Sequence, residues 1–262
     1  MFKDKKFFII GAQGQLGKEF IDVLLNKGVV YEAPNEADCD ITNARVLQTL
    51  IEKSSPDFVI NCGAYNDVDQ AETQKETAFA VNYEAVSNLA DICSKNKIKL
   101  VHFSSDYVFD GKKDGLYEEE DEVNPLNVYG KSKLRGEQVV LKLNDLSLVF
   151  RLSWVIGKGQ QNFLFKLDQW AQKNPVLKIA ADEVSVPTFT ETVVDVALKA
   201  LSNELSGLYH LTNSGYASRY ELAKYYIQKM KRENFVIPVP GSNFTTIAER
   251  PGFSAMSNKK IC

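Results

Sequence analysis

Short apolar runs alternate with longer amphipathic stretches through the first 150 positions of the chain. The run at 6–10 (Lys-Phe-Phe-Ile-Ile) is apolar at four consecutive positions, the pattern of a strand covered on both faces. The stretch 16–26 has its apolar residues at helical spacing. Further strands are predicted at 29–31, 57–61, 99–104 and 146–152, and further helices at 44–53, 76–95 and 128–143. Strands alternating with helices of this length predict parallel βαβ units. The last third keeps the alternation loosely, with helices at 163–173, 191–202 and 219–231 and a short strand at 208–211. Pro175, Pro187, Pro238, Pro240 and Pro251 predict a loop-rich region there. The acidic run at 118–122 predicts a solvated loop face.

Composition narrows the class. With 262 residues, 44% hydrophobic, the chain can bury a sizeable core in one large domain or one domain with a small lobe. A formal net charge of −3 gives no electrostatic basis for a nucleic-acid partner. Cys39, Cys62, Cys93 and Cys262 form no C-x-x-C pair, and His102 and His210 are the only histidines, so a zinc site is not expected. No apolar run approaches the ~20 residues of a membrane span. A cytoplasmic protein with reduced thiols, acting as a monomer or homodimer with no membrane or nucleic-acid partner, is the expectation.

The first predicted strand runs into Gly11-Ala12-Gln13-Gly14-Gln15-Leu16-Gly17. Gly11 allows a sharp exit from the strand, Gly14 allows backbone amides to approach a pyrophosphate, and Gly17 allows close helix–strand packing. The following helix N-terminus faces the phosphates with its partial positive charge. The expected fold is therefore α/β, a Rossmann-type doubly wound parallel sheet over residues 1–155. Residues 156–262 are expected to form mostly a small C-terminal substrate-binding lobe, with some segments returning to the sheet. A carboxylate about 20 residues on often binds the adenosine ribose. The candidates are Glu32 and Asp40. The segment 31–39 carries no Arg or Lys for a 2′-phosphate, which favours NADH over NADPH.

Tyr129 and Lys133 form a Y-x-x-x-K pair on one face of the helix predicted at 128–143. An ammonium beside a phenol favours the phenolate, so the tyrosine can serve as a general acid or base near neutral pH. Ser105 follows the strand at 99–104, at the carboxyl edge where parallel sheets meet ligands. It completes a Ser-Tyr-Lys set. Cys62, Gly63, Ala64 and Tyr65 follow the strand at 57–61 and allow close approach to the cofactor, and Asn82 lies on the next helix.

These motifs, taken in order, resemble the dTDP-4-dehydrorhamnose reductases of the extended short-chain dehydrogenase family. The matching blocks are 11–17, 61–72, Asn82, 104–111, 129–133 with Glu137, 151–157 with Asn162 and Phe163, 182–188, and Arg250-Pro251. The resemblance implies reduction of dTDP-4-dehydro-6-deoxy-L-mannose at C4, with a hydride from NADPH or NADH. It implies that Tyr129 protonates the developing alkoxide, Lys133 supports Tyr129 and binds the cofactor ribose, and Ser105 hydrogen-bonds the ketone. Cofactor contacts are implied for Gly11, Gln13, Gly14, Gln15, Leu16, Asp40, Ile41, Cys62, Gly63, Ala64, Tyr65, Asn82, Tyr129 and Lys133. Val68, Ser105, Tyr107, Trp154 and Arg250 are implied for the nucleotide sugar, Arg250 favouring its anionic part. Some members use magnesium, for which no ligand set is identified. Ser105 stands where threonine is commoner, and Glu183-Val184 where many members have Gln and a small residue. The chain ends at Cys262, where members usually carry a further helix, so either this lobe is reduced or the sequence is truncated. A reductase of another nucleotide-activated 4-keto-6-deoxysugar is the neighbouring reading. A non-catalytic regulatory subunit, like that of methionine adenosyltransferase, is the reading from a different class, and the complete Ser-Tyr-Lys set favours an enzyme.

Overall fold

Strand β1 (Lys6–Ile10) sends Phe7 and Ile9 into one core and Phe8 and Ile10 into another. Successive strand residues face opposite ways, so a strand apolar throughout needs helices on both sides. The computed structural model, which describes residues 2–262, supplies them. After β1 come α1 (Gln15–Asn26), β2 (Val30–Glu32), α2 (Ala44–Ser54), β3 (Phe58–Asn61), α3 (Val68–Thr73), α4 (Lys75–Phe79), α5 (Ala85–Lys95), β4 (Lys99–Ser105), α6 (Val128–Leu143) and β5 (Leu148–Leu152). The chain continues through β6 (Val155–Ile156), α7 (Phe163–Lys173), β7 (Val176–Ala180), β8 (Val184–Ser185), β9 (Thr188–Phe189), α8 (Thr190–Ser202), β10 (Gly207–His210), β11 (Ala217–Ser218), α9 (Arg219–Lys229) and β12 (Phe235–Val239).

The main sheet has six strands in the order β10-β5-β4-β3-β1-β2, every neighbouring pair parallel. The strand order reverses between β1 and β3, and such a switch point opens a crevice at the carboxyl ends of the strands. One core holds Phe20 of α1 and Val193, Val194 and Ala197 of α8 against Phe7, Phe103 and Phe150. The opposite core holds Leu47, Leu89 and Val140 of α2, α5 and α6 against Phe8, Leu100 and Val149. Removing a buried phenylalanine from either costs about 3–5 kcal/mol. A third core lies between α7, α9 and the parallel pair β7–β12, built on Leu167, Leu177, Ile179 and Ile227. No helix among the described residues is long and apolar enough to cross a membrane.

Three expectations are corrected. The helix expected at 76–95 is interrupted by a π-helical segment at Ala80–Glu84. The widened turn holds Asn82, whose side chain bonds the backbone of Tyr65 and so pins the loop after β3. The proline-rich region is not simply loop, because Pro238 stands within β12 opposite Ile179. The Phe235 N–H donates to the Pro175 carbonyl, which puts the amides of 235, 237 and 239 on the β7 side. Position 238 faces the open edge, where a missing N–H breaks no ladder bond. Within the acidic run, Glu119 is 8% exposed rather than solvated. Its Oε1 accepts the His210 N–H at 2.7 Å, and its carbonyl accepts from Arg151 Nη1 at 3.4 Å.

Arg151 and Glu137 are each 3% exposed and meet through two bonds, Nε–Oε2 at 3.0 Å and Nη2–Oε1 at 2.6 Å. They tie the middle of α6 to β5. We expect Arg151→Met to lower the unfolding free energy by about 3–5 kcal/mol in urea melts, because Glu137 is left charged and unpaired in the core. The double variant Arg151→Met/Glu137→Leu should recover much of that loss. His210 lies beside Arg151, its Nε2 3.3 Å from Nη1. Burial, with the arginine's charge adding to it, lowers the imidazole pKa to about 3. The unfolded chain takes up this proton near pH 6.5 and the native chain only near pH 3. Stability should therefore fall with pH across that window by at most about 1.4 kcal/mol per pH unit, a slope that His210→Gln should flatten.

Candidate functional site

Gly11 has φ +75°, and a Cβ there would lie 2.5 Å from the Gly63 nitrogen. The exits of β1 and β3 touch, and a side chain at position 11 would force the switch-point crevice apart. Gly14 caps α1 with extended backbone and no side-chain bond to the first turn. A Cβ on Gly14 would meet only the Gly11 carbonyl, at 3.4 Å. The protein's own packing leaves that direction open, and the free N–H groups of the first turn are of the kind that bind phosphate. This cradle fits a dinucleotide.

A cavity of about 290 Å³ beside the turn is lined by Gly11, Gln13, Gly14, Asp40, Ile41, Cys62, Gly63 and Ala64. It adjoins a cleft of about 600 Å³ over the strand ends, with Gly14, Cys62, Gly63 and Ala64 common to both. Gln15, Leu16, Val68, Ser105, Tyr107, Tyr129, Lys133, Trp154 and Arg250 line the larger cleft. The structure separates the two ribose candidates. Glu32 is bonded to Lys6 at 2.6 Å, which also holds its carboxyl below the usual range. Asp40 faces the cavity, its Oδ1 accepting from Thr42 N (2.9 Å) and Oγ1 (2.7 Å). Asn82 and Tyr65 line neither space. Asn82 is buried, accepting from Tyr65 N and donating to Tyr65 O and Ser132 Oγ, each at 2.9 Å. It acts as a clamp between the loop after β3 and α6 rather than as a wall of the cleft.

Helix α6 delivers Tyr129 and Lys133. Asn127 caps it by accepting the Gly130 N–H at 2.8 Å, and Glu72 accepts the Val128 N–H at 2.7 Å. A Cβ at Gly130 would fall on the Tyr107 carbonyl oxygen, so glycine lets the helix start press directly on the segment after β4. The Tyr107 and Tyr129 rings meet edge to face at 5.8 Å, and Ser105, Tyr129 and Lys133 line one cleft. The Ser-Tyr-Lys set is thus assembled, with one difference from expectation. Lys133 Nζ donates to the Phe103 carbonyl at 2.6 Å, and burial lowers its pKa to about 8. Burial dominates at Tyr129 and pushes its phenol pKa up, with Ser105 opposing. The ammonium thereby anchors α6 to β4.

Trp154 sits at a bend between β5 and β6 with φ +36°, a strained conformation for a bulky residue. The Arg219 guanidinium lies 3.7 Å above its ring and 5.0 Å from the Phe163 ring. Arg250 also lines the cleft, but its guanidinium is held by Asp69 at 2.6 and 3.2 Å. Sequence reasoning missed Arg219, Lys166 and Asp106, all of which line the cleft. Arg219 opens α9 directly after a serine cap, which marks a helix start and nothing more. Asp106 lies inside the recognised 104–111 block, yet its partners are distant in sequence. Among the described residues no group of three or more His, Cys, Asp or Glu side chains gathers as a metal site, and no step is assigned to magnesium.

Known proteins share this sequence and architecture along nearly its whole length. The family model described as the RmlD substrate binding domain matches residues 5–262. A dTDP-4-dehydrorhamnose reductase of Aggregatibacter actinomycetemcomitans is 34% identical, covering 98% of this chain and 92% of that protein. A dTDP-4-keto-6-deoxy-D-glucose reductase of Streptomyces niveus is 30% identical, covering 97% and 89%. The crystal structure of a Bacillus anthracis dTDP-4-dehydrorhamnose reductase in complex with NADP superimposes with a TM-score of 0.95. It is 31% identical, covering 98% of this chain and 92% of that one. Matched along nearly its whole length in sequence and in fold, the chain belongs to the RmlD family of dTDP-4-dehydrorhamnose reductases.

Proposed function

We propose that this protein reduces the C4 ketone of dTDP-4-dehydro-6-deoxy-L-mannose to give dTDP-L-rhamnose, using NADPH or NADH. The observation that carries this reading is that Ser105, Tyr129 and, one turn on, Lys133 line a single cleft that adjoins the glycine turn. Gly11, Gly14, Asp40, Ile41, Cys62, Gly63 and Ala64 hold the dinucleotide, and Lys133 meets its nicotinamide end. The bound cofactor supplies the two electrons and the carbon-bound hydrogen of the reduction. Tyr129 gives its phenolic proton to the ketone oxygen. Its raised pKa keeps that proton in place at neutral pH, as a general acid requires. Ser105, which lines the same cleft, is placed to meet the same oxygen. The solvent returns a proton to Tyr129 after turnover.

The part within residues 1–155 holds the cofactor, and the part within 156–262 adds Gln160, Gln161, Asn162, Lys166, Arg219 and Arg250 to the cleft. Val68, Tyr107 and Trp154 surround the sugar. The nucleotide diphosphate is an anion, and Arg219, Lys166 and Arg250 are the cations that face it. Arg250 is held by Asp69 at 2.6 Å, whereas Arg219 is only loosely paired with Glu183, at 3.7 Å, and stacks on Trp154, which leaves Arg219 and Lys166 as the cations to reach a phosphate. The cysteines are free thiols, which fits work in the cytoplasm. The Streptomyces niveus relative favours a second reading, reduction of a different dTDP-4-keto-6-deoxysugar by the same residues. A non-catalytic role leaves the gathering of Ser105, Tyr129 and Lys133 in one cleft without a purpose.

Turnover is followed through the nicotinamide absorbance with the dTDP-4-keto-6-deoxysugar and its epimerase. Tyr129→Phe should lower kcat by roughly 100-fold or more while cofactor binding, measured by fluorescence, persists. A Tyr129→Phe protein that turns over like wild type would remove Tyr129 as the proton donor. Arg219→Met should raise KM for the nucleotide sugar roughly tenfold, by loss of a charge-assisted hydrogen bond, and leave the cofactor KM unchanged. Raised salt should weaken substrate binding to the wild type more than to this variant.

A further inference from the structure

Helix α3 carries two carboxylates that the reduction itself does not use. The helix has six residues, with Ala71 buried beneath it, and Asp67 caps it by accepting the Gln70 N–H at 3.0 Å. Asp67, Val68 and Asp69 line the large cleft. Glu72 accepts the Val128 N–H at the start of α6 at 2.7 Å. Asp69 grips a different stretch. Its Oδ1 accepts the Ile247 and Ala248 N–H groups, each at 3.0 Å, and Arg250 Nη1 at 3.2 Å. Its Oδ2 accepts Arg250 Nη2 at 2.6 Å. Helical residues three apart share a face, so one short helix holds both the turn that leads into Tyr129 and the stretch 247–250.

The backbone around 247–250 is anchored at either side. Upstream, the Gly241 N–H donates to Asp182 Oδ1 at 2.7 Å, and downstream the Gly252 carbonyl accepts the Val184 N–H at 2.8 Å. Between those anchors Asn127 Nδ2 donates to the Glu249 carbonyl at 2.8 Å, and Arg250 Nη1 donates to the Ala248 carbonyl at 3.1 Å. Asp69 takes the two backbone N–H groups and both terminal nitrogens of the guanidinium. Ile247 is 64% exposed, so little packing replaces that hold. Arg250 therefore lines the cleft as a fixed wall and not as a free cation. We infer that Asp69 is a positioning residue, which holds Arg250 and the 247–248 backbone in place and so shapes the wall against which the nucleotide sugar binds. Neither Asp69 nor Arg250 lines the cavity beside the glycine turn, so cofactor binding does not depend on this hold. The inference rests on the reductase reading for the identity of the ligand, and its hydrogen-exchange test stands without that reading.

Exchange of the Ile247 and Ala248 amide hydrogens, read by nuclear magnetic resonance, reports the hold directly. An N–H bonded to a side chain in an exposed stretch is protected only while that bond lasts. Asp69→Ala should speed exchange at both amides by roughly tenfold or more, as expected for loss of a hydrogen bond to a charged group. In the same protein dTDP-L-rhamnose binding, measured by calorimetry, should weaken roughly tenfold, while reduced-cofactor binding, followed by fluorescence, stays as in wild type. Asp69→Asn separates the two parts of the hold. Its amide oxygen still accepts the two backbone N–H groups, but its NH2 meets the guanidinium with no acceptor. Exchange should then stay near wild type while sugar binding falls by less than in Asp69→Ala. Should Asp69→Ala fail to fold, the asparagine variant carries the affinity test. Unchanged exchange in Asp69→Ala would overturn the inference. Faster exchange with unchanged dTDP-L-rhamnose affinity would overturn it too, as would an equal loss of cofactor and sugar binding, the mark of a merely structural role. Faster exchange in a protein whose wild type binds cofactor but no dTDP-sugar would support the hold and overturn the reductase reading.

Discussion

Helix α6 begins closer to the end of β4 than any residue with a side chain would allow. Gly130 rests on the Tyr107 carbonyl, and from that contact follow the meeting of Ser105 and Tyr129 in one cleft and the Lys133 bond to Phe103. The approach is held along the helix as well. The Arg151–Glu137 pair fixes its middle to β5, and Asn82 fixes Ser132 to the loop after β3. A buried ion pair contributes little net stability against an apolar substitute. Its value here is registration, because a small slide of α6 would carry Tyr129 and Lys133 away from the end of β4.

Burial governs the electrostatics of this corner. Tyr129 and Lys133 are shifted in opposite directions, the phenol up and the ammonium down, because both lose water. Each therefore favours its neutral form more than it would in solvent. The outer walls differ. Arg219 and Lys166 bring cations suited to a diphosphate to the cleft, beside the Arg250–Asp69 pair.

The parallel sheet was legible because its strands are apolar at consecutive positions and its helices repeat at a regular interval. The glycine turn and the Tyr129–Lys133 spacing are local, and local patterns survive in sequence. What was not legible depended on distance. Ser185 and Ser254 reach Asp106 from far along the chain, and Arg219 reaches Trp154 across the cleft. No periodicity announces such meetings. Strand β12 was hidden by Pro238, which is harmless only because its missing N–H faces an open edge. Asn82 was placed among the cofactor contacts, but its amide is occupied by backbone groups that a sequence does not display.

The central claim is that this cleft joins a nicotinamide to a nucleotide-linked ketone. The most direct measurement incubates the protein with reduced cofactor, the dTDP-4-keto-6-deoxysugar and its epimerase, and identifies the sugar by nuclear magnetic resonance. The account predicts dTDP-L-rhamnose, formed in equal amount to the cofactor oxidised. Cofactor that binds while the ketone persists unreduced would contradict it.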